Sequence, residues 1–149
     1  MIAEQARASL GSMLGVEIGA GVPMVVDVPA SRWEDIARYA KDTIGCRFFN
    51  FLTAVDWKEQ GLEVVARVDN LEDGISLMLK TKLGSGVNNC ASLTPVYRGA
   101  NWMERECFDM FGVHFDNHPD LRRILLEDGW EGHPILKSYA VDTPHPPYR

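Results

Sequence analysis

The chain has 149 residues, 46% of them hydrophobic and 24% charged, with a formal net charge of −6. That length and balance fit one packed domain and exclude the polar, charge-heavy composition of disordered chains. The acidic excess argues against an electrostatic grip on nucleic acid or an anionic lipid surface, because the adjacent basic pair Arg122 and Arg123 is flanked by Asp120, Glu127 and Asp128.

Ala6, Leu10, Met13 and Leu14 recur at helical spacing before Gly15 and predict a first short helix. In the segment from Pro23 to Val28, Met24, Val26 and Val28 alternate with Val25 and Asp27, which predicts a strand bounded by Gly21 and Pro29. Ser31 stands three residues before Glu34, a capping-box pattern. Trp33, Ile36, Ala37, Ala40 and Ile44 then form one apolar stripe ending at Gly45, so the spacing predicts a second helix. The run from Cys46 to Trp57, CRFFNFLTAVDW, is apolar on both faces, as in a strand covered on two sides, and predicts the centre of a sheet.

Leu62, Val64, Ala66 and Val68 alternate with Glu63, Arg67 and Asp69. Ile75, Leu77, Leu79 and Leu83 alternate with Ser76, Met78, Lys80 and Lys82. Both read as half-exposed strands. The connections at 58–61 and 70–74 are too short for a parallel crossover, so the three strands are expected to form an antiparallel meander. The stretch LGSGVNNC at 83–90 lacks the glycine pattern of a dinucleotide or phosphate loop and reads as a connection.

Asn101 is placed as an N-cap, Glu104 as the residue that reaches back to it, and Gly112 as the stop of a third helix. From Val113 onward prolines and turn residues dominate, predicting an extended tail that closes on HPPYR and lies on a surface, its own or a partner's. The order of elements predicts a two-layer α+β fold, with a mixed or antiparallel sheet, helices on one face and an extended C-terminal tail. Residues 1–112 are expected to form the α+β domain and 113–149 an extended docking segment of it.

No run approaches the ~20 apolar residues of a bilayer span. The opening MIAEQARASLGSMLG carries Glu4 and Arg7 and lacks the apolar stretch of a secretory signal, so a soluble cytoplasmic chain is expected. Cys46, Cys90 and Cys107 are far apart and odd in number, which fits neither a disulfide framework nor the clustered ligands of zinc or iron–sulfur sites. They read as small buried hydrophobes in a reducing compartment.

The chemistry concentrates in ERECFDMFG at 104–112. On a helix, Met103, Cys107, Met110 and Phe111 share one apolar arc, while Arg105 and Asp109 share the opposite face at a spacing that permits an ion pair. Glu104 and Glu106 diverge by about 200° around the axis. They therefore cannot converge on one substrate or one metal ion. Glu104 falls inside the apolar arc, where a carboxylate must be hydrogen-bonded or paired. A capping box and a salt bridge to Arg122 or Arg123 are its two expected solutions. His114 and His118 have a zinc-like spacing, but they follow the helix stop and precede Pro119, which removes the helical geometry. His118 and His133 each precede a proline and read as turn-fixing residues. Cys107 lies mid-stripe on the buried side, where a nucleophilic role has no support, so an autonomous small enzyme using Glu106 or Cys107 is the weakest reading.

Residues 102–134, WMERECFDMFGVHFDNHPDLRRILLEDGWEGHP, resemble the signature of the thirty-kilodalton subunit family of respiratory complex I, which recurs in membrane-bound energy-converting hydrogenases. The resemblance rests on Glu104, Arg105, Glu106, Asp109, Gly112, His118, Pro119, Leu121, Arg122, Arg123, Ile124, Leu125, Gly132, His133 and Pro134. The family pattern continues with arginine and aspartate where this chain has Leu136 and Ser138. That departure implies a lost or relocated ion pair.

The resemblance implies a cofactor-free subunit on the cytoplasmic side, packed against a large hydrogenase-like catalytic subunit and a small iron–sulfur subunit. Iron–sulfur clusters and the quinone site, or a nickel–iron centre, would belong to those partners. Glu104, Arg105, Asp109, Arg122 and Arg123 would form an ion-pair network joining the helix to the following loop. Glu106, His118 and His133 complete the expected structural or partner-binding set. Two parents are expected: a proton-translocating quinone reductase, or a membrane-bound [NiFe] hydrogenase or formate hydrogenlyase.

Overall fold

A computed structural model describes residues 1–142. The HPPYR terminus of the expected tail lies outside the described residues. The elements are α1 (Ala3–Leu14), β1 (Met24–Asp27), a 3-10 turn (Ala30–Arg32), α2 (Trp33–Asp42), β2 (Phe48–Asp56), a second 3-10 turn (Lys58–Gln60), β3 (Leu62–Asn70), β4 (Ile75–Gly84), β5 (Asn89–Ala91), α3 (Ala100–Phe111) and β6 (His114–Asp116). β1 to β4 form a sheet in the order β1-β4-β3-β2, with the expected antiparallel meander of β2, β3 and β4 and with β1 parallel to β4.

The core lies on one face of this sheet. Met24, Val26, Leu52, Ala54, Val64, Ala66, Val68, Leu77 and Leu79 point into one buried cluster with Leu10 of α1, Trp33, Ile36 and Ala37 of α2, and Cys107 and Phe111 of α3. Burying such side chains is the dominant favourable term, at ~25 cal/mol per Å² of apolar surface. The mixed sheet with helices on one face is the expected architecture.

Three local expectations are corrected. Ser31 caps nothing: a 3-10 turn precedes α2, the N-cap is Arg32, and the backbone supplies the closing bond from Arg32 N–H to the Pro29 carbonyl at 2.9 Å. β2 is an edge strand, not the central one. Its two-sided apolar look comes from a register break between Phe49 and Phe51, which puts Phe49 and Leu52 on the core side and leaves Phe48 exposed on the other. β3, read as half-exposed, is buried along nearly its whole length because it is flanked on both sides by long partners. Its outward acids are covered by hydrogen bonds: Asp69 accepts from Ser76, Asn50 and Arg67, and Glu63 accepts from the Trp57 indole N–H at 3.4 Å.

β5 and β6 form a parallel two-stranded sheet that spans α3 and pairs Cys90 with Phe115. It lies partly within the 83–90 connection and the start of the tail, where the sequence pattern predicts no strand. Its consequence is positional, because it fixes the segment before α3 beside the segment after it. Ser92 N–H extends the contact to the Asp116 carbonyl at 3.0 Å.

The β2–β3 turn requires glycine at 61, where φ is 90° and ψ −165° and an added Cβ would collide with the Gly84 carbonyl. Gly61→Ala is expected to cost about 3 kcal/mol, against about 1 kcal/mol for Gly86→Ala, which shares a positive φ but has open space around it. Urea denaturation of the two variants checks the difference.

Candidate functional site

α3 begins two residues earlier than its sequence suggests, after Gly99, and stops at Gly112 in the left-handed conformation. Asn101 is therefore inside the helix, and Glu104 lies too far along it to close a capping box. The Glu104 side chain is fully buried. Oε1 accepts from the Leu93 N–H at 2.6 Å and Oε2 from the Ser92 hydroxyl at 2.7 Å. Both donors come from the loop that β5 leads into. Glu104 makes a salt bridge with neither Arg122 nor Arg123; its charged-type neighbour is His118, whose Nε2 is 4.0 Å from Oε2.

The partners of His118 fix its tautomer. Nδ1 accepts the Asp120 N–H at 3.0 Å, so it carries no proton, and Nε2 donates to the Asn101 carbonyl at 3.0 Å. A neutral imidazole offers Glu104 no full positive charge. Burial accordingly pushes the Glu104 carboxyl up from 4.5 to about 7, against the pull of Ser92 and Leu93.

Asp109, one and a half turns on, has the opposite solution. It is also fully buried, but its Oδ1 meets Arg123 Nη1 at 2.7 Å. Oδ2 accepts three successive backbone N–H groups, from Ile124 at 3.2 Å, Leu125 at 2.8 Å and Leu126 at 2.9 Å. Burial acts to raise this carboxyl, yet Arg123 and the three amides outweigh it and hold it below the ordinary range.

The expected Arg105–Asp109 pair does not form, since Asp109 is saturated by these donors. Arg105 instead donates from Nε to the Arg122 carbonyl at 3.1 Å and from Nη2 to the Arg123 carbonyl at 2.9 Å. Arg123 continues to the Trp130 and Gly132 carbonyls, both at 2.9 Å. Arg122 itself makes an exposed bidentate pair with Asp120, at 2.8 Å on each arm. Glu104 and Arg122 thus fall outside the ion pair that joins α3 to the tail.

His133 donates from Nδ1 to the Asp109 carbonyl at 2.9 Å and lays its ring against Gly112, where an added Cβ would be 2.8 Å from ring Cδ2. Glu106 is exposed, so the two glutamates of ERE diverge as the helix requires. Cys46, Cys90 and Cys107 are free and buried. Burial pushes the Cys46 thiol up to about 12 and raises Cys90 and Cys107 as well, which removes thiolate nucleophiles at neutral pH.

Several participants carry little signal in the sequence. Ser92 and Leu93 supply the Glu104 donors from eleven or twelve residues away, and the only local hint is the S-x-T pattern, in which Ser92 also accepts the Thr94 N–H at 3.1 Å. Asp56 accepts the Lys137 N–H at 2.9 Å and pins the tail at that residue to the end of β2. At the first departure from the family pattern, Leu136 packs against the core. The site is thus a set of internal clamps about α3. His114, exposed on β6, and His118, buried, stand in different surroundings.

The family model described as "Respiratory-chain NADH dehydrogenase, 30 Kd subunit" matches residues 26–145. The chain is 37% identical over 145 residues to the C subunit of the NADH-quinone oxidoreductase of Rhodobacter capsulatus, covering 95% of this chain and 72% of that protein. It is 35% identical over 130 residues to the C subunit of the NADH-quinone oxidoreductase of Geobacter sulfurreducens, covering 85% of this chain and 80% of that protein. A solved structure described as Nqo5 of the trypsin-resistant fragment (1-134) shares the fold with TM-score 0.71 at 22% identity, over 81% of this chain and all of that one. A chain of an archaeal respiratory membrane complex, the membrane-bound sulfane sulfur reductase, shares it with TM-score 0.68 at 24% identity, over 86% of this chain and 75% of that one. The chain belongs to the 30 Kd subunit family.

Opposite environments of the two buried acids give opposite tests. The folded state holds the Glu104 proton more tightly than the unfolded chain does, so this group's contribution to stability is greatest below about pH 4.5 and is lost as pH rises through about 7. Glu104→Gln keeps an acceptor for Leu93 and is expected to remove that slope, a change on the order of 3 kcal/mol seen by urea denaturation across the range. Asp109→Asn is expected to cost about 3 kcal/mol. Hydrogen exchange checks where the loss falls: the Ile124, Leu125 and Leu126 amides should open well before those of β3 and β4.

Proposed function

We propose that this member of the 30 Kd subunit family is a subunit of a multi-subunit, proton-translocating NADH–quinone oxidoreductase and serves it by position. It scaffolds the large hydrogenase-like subunit of the quinone site and the small subunit of the terminal iron–sulfur cluster. It carries no cofactor of its own and works at the cytoplasmic face, reaching the membrane through those partners. Among the described residues no helix is long and apolar enough to cross a membrane, which agrees with a peripheral place.

The observation that carries this reading is the use made of the signature residues. Glu104, Arg105, Asp109, His118, Arg123 and His133 are engaged by side chains and backbone of this chain, so the helix and the tail form one fixed surface. Rigid placement is what neighbouring electron carriers need, because a displacement of about 1 Å at a site is already costly. The buried thiols and the divergent glutamates offer no convergent acid–base pair or nucleophile that would compete with a positional role.

The departures from the family pattern at Leu136 and Ser138 bear on which complex is the parent, and the second reading is the equivalent subunit of a membrane-bound [NiFe] hydrogenase or formate hydrogenlyase. Purification of the native assembly through this chain separates the two. Inhibitor-sensitive quinone reduction with co-purifying iron is the expected result; nickel with hydrogen evolution would establish the second reading. Arg105→Ala, made in that assembly, is expected to lower the yield of complex several-fold while turnover per assembled complex stays near wild type. Normal assembly with turnover abolished would overturn the positional role.

A further inference from the structure

Trp102 is 70% exposed and Leu125 61% exposed, although each adjoins a rigid clamp. Residues 102, 105, 106 and 109 lie within about 100° of arc on one face of α3. Seven residues at 1.5 Å each put Trp102 about 10 Å from Asp109 along the axis. The tail roofs the Asp109 end of that face through the Ile124, Leu125 and Leu126 amides, while Arg105 holds the Arg122 and Arg123 carbonyls between the two ends. Both apolar side chains are therefore carried on backbone that is already fixed, and little ordering entropy is left to lose on contact.

Acids outnumber cations around them, even with Arg98 exposed one turn before Trp102 and Arg105 bonded to carbonyls rather than carboxylates. Glu106, Glu127, Asp128 and Glu131 are exposed, and Arg122 is engaged by Asp120. An isologous contact between two copies would bring these carboxylates face to face, and an anionic lipid surface would be repelled. A cationic rim would be attracted. We propose that Trp102 and Leu125 are the two apolar anchors of a docking surface for a partner subunit that presents an apolar pocket ringed by Lys and Arg. The inference rests on the reading of this chain as a subunit of a larger assembly, and it names the surface and the chemistry of its partner.

The test uses the full chain in its native assembly. The Trp102→Ala, Leu125→Ser double variant is expected to lower co-purification with the iron-bearing subunits by about tenfold or more, while the unfolding midpoint of the full-length chain stays at the wild-type value. Glu127→Lys with Asp128→Lys should give a smaller loss, and raising salt from about 0.05 to about 0.5 M should weaken wild-type retention. Wild-type retention of the apolar double variant would overturn the proposal. So would a wild-type homodimer that this variant abolishes, or binding to anionic vesicles that depends on Trp102, since either assigns the surface elsewhere. If the apolar variant unfolds early, the exposed lysine variant carries the same retention test. Failure of the wild-type chain to co-purify with any iron-bearing subunit is a different result: it removes the assembly reading itself.

Discussion

A single carboxylate organises the segment after α3. Asp109 accepts one guanidinium and three consecutive backbone amides, and those amides belong to a stretch with neither helix nor strand to satisfy them. An orphaned buried N–H is costly, so a loop of this kind needs an acceptor from elsewhere. A charged acceptor is stronger than a neutral one, and Arg123 offsets the cost of burying it. Arg123 then distributes the constraint to the Trp130 and Gly132 carbonyls, which is why turns without regular structure still lie in one place.

Glu104 stands five residues earlier on the same helix and handles burial without a cation. Its partners are a hydroxyl and an amide, so burial pushes its carboxyl up where that of Asp109 is held down. The two acids attach α3 to different neighbours: Glu104 to the loop before it, Asp109 to the tail behind it. Together they make the helix the common support of two segments that are otherwise far apart in sequence.

Periodicity exposes the helices and the meander because those patterns are local: Trp33, Ile36, Ala37 and Ala40 repeat at 3.6 residues, and β3 and β4 alternate at two. The edge position of β2 is hidden by the register break beside Asn50, which puts Phe49 and Leu52, three residues apart, on the same side and so blurs the alternation. β5 and β6 are illegible because each is three residues long and its partner lies on the far side of a helix. Among the charged residues, the signature marks which ones matter but not with whom they pair. Arg105 and Asp109 have ideal helical spacing, yet a buried carboxylate takes the donors that converge on it in space, and those come from residues 123–126.

The β5–β6 pairing also acts as a key for alignment. Shifting β6 by one residue against β5 would turn Phe115 away from the core and move the following chain by about 3.3 Å. His118 lies three residues beyond Phe115, and its 3.0 Å bond to the Asn101 carbonyl would break with the same slip. A misthreaded strand is thus penalised twice, by lost apolar burial and by a lost polar contact. Only the native alignment satisfies both.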